Sequence, residues 1–360
     1  MECKNSSISY DPSLLFNIEE KNNSCFVDGT RCQYSQCAQG NKLQVCAFGF
    51  ANGVTGGVAG PYYTVDKPDD DPTNPALGTL RFVVNYAGNN NGGAWITFKN
   101  SMHIILNDKL WVKSNTTIDG RGVNVTITGA CLALRTVENV ILHNFDVSST
   151  GDSDTVHIFD GSHKVWVDHL TTNDGQLGLV TVVQGSTDVT ISNSYLSNCS
   201  FNVLLGASDQ DTIDNVLRVT VYRNWFDSAM QRMPHCRWGY CHVVNNYYRN
   251  WTYYCIGARA YAKVYSELNV FDPGSKLEVT PWFPNYNSDL TPTIVSSKDL
   301  LMNGSTFHQF LNPKVLLNNP QDQFPGYMVP TRPTNTLEDL VTKCSGALFG
   351  PKLSTCLAAP

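Results

Sequence analysis

Short β-branched runs recur through the middle of this chain at a spacing of about two dozen residues. Equivalent runs start at Val140, Val165, Val189, Val219, Cys241 and Val264, so successive steps are 25, 24, 30, 22 and 23 residues. Each run has the branched and aromatic bias of a strand. No helical pattern of ten to fifteen residues recurs between them, which argues against alternating strands and helices in a doubly wound sheet. A near-fixed period with one short strand per unit points instead to a solenoid, in which each coil buries its apolar face only by stacking on its neighbours. The reading is an all-β chain, a single-stranded right-handed parallel β-helix. Asn193, Asn224, Asn246 and Asn269 fall near the ends of their runs, where stacked amides could bond from coil to coil. The competing β-sandwich would need antiparallel hairpins with two-residue turns, and those turn signals are sparse.

The ends differ from the middle. Residues 1–50 read as a cysteine-rich segment packed on the solenoid, 51–275 as the β-helix, and 276–360 as an irregular C-terminal wrap of the same domain. Within the wrap a helix is expected near Leu337–Lys343, begun by Asn335 or Thr336. A chain of 360 residues can bury a large core. Its net charge of −6 argues against nucleic acid or an anionic membrane as a partner. No apolar run reaches the length of a membrane span. A monomer is expected.

Twelve cysteines occur, none in a C-x-x-C pair, so zinc and thioredoxin-like chemistry are disfavoured and disulfides are expected. N-x-S/T sequons begin at Asn5, Asn22, Asn115, Asn124, Asn198, Asn250 and Asn303. Cysteines and sequons together favour a secreted, glycosylated protein of the extracellular space or cell wall. The start, Met1-Glu2-Cys3-Lys4 followed by Asn5-Ser6-Ser7, shows no apolar leader, so the expectation is that a signal peptide is not part of this chain.

The segment Gln231-Arg232-Met233-Pro234-His235-Cys236-Arg237-Trp238-Gly239 sets two guanidinium groups five residues apart. Arginine offers planar donors for carboxylates and is a poor proton acceptor outside an unusual setting. Other segments accompany it: Asp69-Asp70-Asp71-Pro72-Thr73-Asn74-Pro75, Thr117-Ile118-Asp119-Gly120-Arg121-Gly122, Val165-Trp166-Val167-Asp168-His169, Gly185-Ser186-Thr187 and Leu204-Leu205-Gly206. In this order they resemble the plant pectate lyase family of secreted β-helix proteins. The resemblance implies an open groove for polygalacturonate and calcium-assisted β-elimination. It implies Arg232 as the catalytic base, Arg237 as a grip on a substrate carboxylate, and Asp152 and Asp154 as the first calcium-binding pair. His169 is read as a member of a hydrogen-bonded stack rather than a catalyst.

Three positions depart from the family pattern. Leu177 and Thr181 stand where a second acidic pair is expected, and Phe201 stands where a substrate-binding lysine is expected. Asp174 lies three residues before Leu177 and could serve only in a shifted loop. A hard cation needs many oxygen ligands, so weak or absent calcium binding is expected. Leu177 and Phe201 would line a more apolar substrate groove, suited to a neutral or esterified chain. Three functions remain open: a calcium-free lyase for a less charged pectic substrate, a calcium-dependent pectate lyase with a relocated metal site, and a non-lytic wall-binding or repurposed protein.

Overall fold

The computed structural model describes residues 40–150, 153–173, 178–281 and 290–357, together with the strand pair Ser24–Phe26 and Arg31–Gln33. The strands of the body stack in parallel, coil on coil. The six run starts named from the sequence pair in one continuous register: Val140 with Val165, Val165 with Val189, Val189 with Val219, Val219 with Cys241, and Cys241 with Val264. All six side chains are buried. β-branched residues at these positions fill the solenoid interior, so the two-residue strand period and the coil period agree on what points inward. The stack runs on past residue 275, because Thr293–Ser297 pairs with Lys263–Glu267 and Leu300–Leu301 pairs with Val270–Asp272.

A second interior column is aromatic. Phe226, Tyr248 and Phe271 stack with centroids 4.9 and 4.7 Å apart and planes 8° and 17° from parallel. Successive coils thus place like residue on like residue, and each ring removes apolar area from water.

The corner between two strand runs has a fixed conformation. Asn144, His169, Asn193, Arg223, Asn245, Leu268 and Lys298 all have φ between 47° and 63°. Asparagine tolerates this left-handed region better than most residues, which accounts for part of the chain's asparagine content. Asn115, Asn198 and Asn250, each heading a sequon, also sit at positive φ.

The amide ladder is real but shifted by one residue at its first rung. Asn224 donates to Asn246 (3.1 Å), Asn246 to Asn269 (3.0 Å), and Asn269 to Asp299 (3.1 Å). Asn193 is not a rung. It occupies the left-handed corner and its amide donates to Asp168 instead (2.9 Å), while the backbone of Ser194 donates to Asn224. His169 behaves as read: His143 and His169 both bond the same Asp168 oxygen, at 2.8 and 2.6 Å, deep in the wall. Although burial opposes it, His169 and those bonds hold the Asp168 carboxyl well below the usual range.

The C-terminal helix Leu337–Cys344 starts at Thr336, as the sequence indicated. Cys344 and Cys356 form a disulfide that ties it to the following helix, and Cys46 is disulfide-bonded too. Disulfides do form, but Cys131, Cys236, Cys241 and Cys255 are free and buried, so the even count does not mean that every cysteine is paired. They serve as small apolar side chains in the coil interior.

Candidate active site

A seven-stranded parallel sheet forms one wall of the solenoid. Its strands are Leu110–Trp111, Leu132–Arg135, Val156–Phe159, Val180–Val182, Val203–Leu205, His235–Arg237 and Gly257–Arg259. Val156, Ile158, Val180, Val182, Val203, Leu205 and Cys236 face inward and are buried. The alternate row therefore faces outward: Trp111, Ala133, His157, Thr181, Leu204 and His235, each paired with the next. Most of the family-motif residues that would do chemistry gather on this face.

Arg232 precedes the His235–Arg237 strand. Its neighbour Gln231 bridges Phe201, and its own carbonyl accepts from the Val203 N–H (2.7 Å). The residue has φ 61°, an uncommon conformation for a side-chain-bearing residue. The chain thereby turns the guanidinium over the Phe201 ring, with Cζ 3.9 Å from the centroid. Phe201 was read as a surface for substrate. One ring face is instead covered by Arg232, so the aromatic ring and the cation act as a unit. Tyr254 lies within the influence of the Arg232 charge, and its hydroxyl bonds His235 Nδ1 at 2.9 Å. Burial pushes the Tyr254 hydroxyl up to about 12, with Arg232 opposing. Among the described residues Arg232 Nε and His235 Nε2 are buried without a partner.

His235 is held neutral. Burial, then the charges of Arg237, Arg232 and Arg259, push its pKa well below the ordinary value. A neutral imidazole can accept from the Tyr254 hydroxyl. Arg237 lies further along the same strand. Its Nε bonds Asp209 (2.8 Å) and its Nη1 donates to the Gly206 carbonyl (2.9 Å). Asp209 holds Arg259 as well, at 2.8 Å. Gly206, at φ 86°, is required here, because a Cβ would come within 2.8 Å of the Arg237 side chain.

Of the residues expected to hold metal, Asp154 faces this groove. Its carboxyl is lifted by burial; His157, Thr181, Arg232 and Lys109 act in the opposite sense. His157 Nδ1 is 3.7 Å from Asp154. Asp152, Asp174 and Leu177 lie outside the described residues. The structure thus brings together Arg232, Phe201 and Arg237 on one side, and Asp154 with Thr181 on the other. Tyr254, His235, Asp209, Arg259 and His157 were not singled out from the sequence as site residues.

A family model described as Pectate lyase matches residues 38–308. The chain belongs to the pectate lyase family. Family membership places it among the polysaccharide lyases. A protein named as pectate lyase 21 of Arabidopsis thaliana is 42% identical over 271 residues, covering 69% of this chain and 68% of the relative. Another named as pectate lyase 14 of the same plant is 38% identical over 314 residues, covering 78% of this chain and 69% of its own length. The crystal structure of the major allergen from cedar pollen superposes with a TM-score of 0.79 at 32% identity, covering 91% of this chain and 100% of that one. A Bacillus pectate lyase solved with trigalacturonate shares the fold at 19% identity, with a TM-score of 0.62 over 84% of this chain and 98% of its own. The family implies a pectic polysaccharide as substrate. Among the described residues no helix is long and apolar enough to cross a membrane.

Proposed function

We propose that this pectate lyase-family chain cleaves methyl-esterified or otherwise weakly charged galacturonan by β-elimination, with Arg232 as the base and without calcium. In this reaction the base takes the proton from the carbon next to the carboxyl group. The electron pair forms a carbon–carbon double bond, and the glycosidic oxygen leaves with the next sugar and takes up a proton from water. A base must sit within hydrogen-bond reach of that proton. The observation that carries the reading is the Arg232 guanidinium stacked 3.9 Å over Phe201, at the position where the family pattern expects a cation. The ring fixes Arg232 and makes its surroundings less polar. The Arg232 charge also acts on the nearby Tyr254 hydroxyl.

The donor set supports calcium independence. Calcium takes six to eight oxygen ligands. The described groove residues supply the Asp154 carboxylate and the Thr181 hydroxyl, with Arg232 and Lys109 adding positive charge nearby. Asp154 and Thr181 by themselves do not fit a calcium ion. A neutral ester acidifies the adjacent proton better than a carboxylate does, so an esterified substrate has less need of a metal. Burying an unpaired uronate beside Phe201 would incur a desolvation cost of several kcal/mol. A secreted wall location is consistent with this substrate.

Arg232→Lys tests the base. A lysine is shorter, cannot stack as a planar ion on Phe201, and stays protonated unless desolvated. Turnover of methylated pectin should fall by at least about a hundredfold, at the low end of what a general base contributes, while the circular dichroism spectrum stays that of the wild type. Unchanged turnover would remove Arg232 from the reaction.

A further inference from the structure

The outer face of the seven-stranded sheet carries a second built surface, far from Arg232. Trp111 ends the first strand and is 39% exposed. Its register partner is the small Ala133, which pairs on with His157. Because Ala133 leaves space, the Trp111 and Phe159 rings approach across it, with centroids 6.3 Å apart. Phe159 stacks in turn on His157 at 4.3 Å. Arg135, paired in register with Phe159, sets its guanidinium 6.0 Å from that ring's centroid. Its charge is shared with Asp160 at 2.7 Å, yet the side chain is 59% exposed. Beside this platform lies a cavity of about 270 Å³ lined by Trp111, Val112, Lys113, Arg135 and Val137. It combines an exposed indole, apolar walls and two cations.

We infer that Trp111, Arg135 and Lys113 form a remote subsite that binds one sugar of an extended galacturonan through its ring face and its free carboxylate. Sugar rings present apolar C–H faces that pack on aromatic side chains, and a guanidinium is suited to a carboxylate. Five strand spacings separate this strand from the His235–Arg237 strand in the sheet order. At ~4.8 Å per spacing that is roughly 24 Å. Each spacing is comparable with one sugar of an extended chain, so a polymer crossing the strands would reach Trp111 several sugars from the bond at Arg232. The subsite deepens the proposed function and rests on it for the ligand class. It also divides the substrate: an esterified sugar at Arg232 and an unesterified one at Trp111. A partly methylated chain, with both kinds of residue, is the polymer that satisfies both ends.

The experiment is calorimetric titration of the full chain with partly methylated and fully methylated oligogalacturonides of three to ten units. In the wild type, affinity should step up once the partly methylated oligomer is long enough to span the groove. Trp111→Ala should abolish that step, lowering affinity for the longest oligomers about tenfold while leaving the shortest unchanged. Arg135→Gln should weaken long partly methylated oligomers and leave fully methylated ones alone. An unaltered length step in Trp111→Ala, or equal losses for short and long oligomers, would overturn the inference, as would a wild type that binds no galacturonan. The length step in a protein that cleaves nothing would keep the subsite and reject the lyase reading. Cleavage insensitive to Trp111 at every length would keep the lyase reading and reject the subsite.

Discussion

Replacing Phe201 by leucine separates a residue that positions the base from one that binds substrate. The ring lies 3.9 Å from the Arg232 Cζ in a half-buried groove. A cation over an aromatic face contributes ~0.5–1 kcal/mol when exposed and about 2 kcal/mol when desolvated. Intermediate burial puts this pair at roughly 1–2 kcal/mol. If that energy holds Arg232 in its reactive orientation, losing it should lower kcat about 5- to 30-fold. KM should change less than twofold, because the substrate still meets the same walls. Leucine keeps most of the apolar volume, so the fold should survive. The assay is initial-rate formation of unsaturated uronide, followed by ultraviolet absorbance on highly methylated pectin. A kcat left at the wild-type value with a raised KM would show that Phe201 holds substrate and that its contact with Arg232 is incidental.

Three further outcomes follow from the geometry. Tyr254→Phe removes the hydroxyl that bonds His235 beside Arg232; it should lower kcat more than it raises KM and shift the pH–rate profile, and an unchanged profile would exclude Tyr254 from acting on Arg232. Asn246→Ala strands the Asn224 backbone N–H and the Val221 carbonyl, both bonded by the Asn246 amide; at about 1–3 kcal/mol for each orphaned buried group, denaturant titration should show a loss of ~2–6 kcal/mol, and a loss below 1 kcal/mol would show that the ladder is not a stability element. Burial lifts Asp299 to about 6 from an ordinary 3.8, against four bonds that favour its charge. The native state therefore keeps a proton that the unfolded chain releases, so the contribution is complete below the unfolded value and is lost as pH rises through about 6. Asp299→Asn should flatten that part of the stability–pH curve, worth about 3 kcal/mol at most, whereas an unaltered slope would assign it to other groups.

Much of the fold was legible because one physical demand repeats. Every coil must bury an apolar residue at the same place, so Val140 through Val264 announced both the strands and their register. The corner was less legible. Asparagine suits both the left-handed corner and the ladder rung beside it, and the sequence does not distinguish Asn193 in the first role from Asn224 in the second. The helix Leu80–Gly88 was missed although its signals are present: Thr79 accepts from the Phe82 N–H, and Leu80, Val83, Val84 and Ala87 make one buried face.

The site was half legible. Arg232 and Arg237 share one segment, but their partners come from adjacent coils. Tyr254 lies 22 residues beyond Arg232, and Asp209 lies 28 before Arg237. Both intervals fall within the range of the coil spacing, so adding or subtracting one coil would have drawn attention to both. The packing of Phe201 against Arg232 could not be foreseen in this way, because it depends on the left-handed turn at Arg232 and the bridge from Gln231 to Phe201. Phenylalanine in place of the expected lysine suggested an altered substrate surface; the structure adds an altered setting for Arg232.

The central claim is calcium-free elimination on a weakly charged pectic chain, and one measurement bears on it most directly. Formation of unsaturated uronide should be followed on highly methylated pectin and on polygalacturonate, each with added calcium and with chelator. The account predicts product from methylated pectin at the same rate in both conditions, with little from polygalacturonate. Calcium-dependent cleavage of polygalacturonate with no action on methylated pectin would contradict it, and would place the metal on carboxylates other than those assigned to this groove.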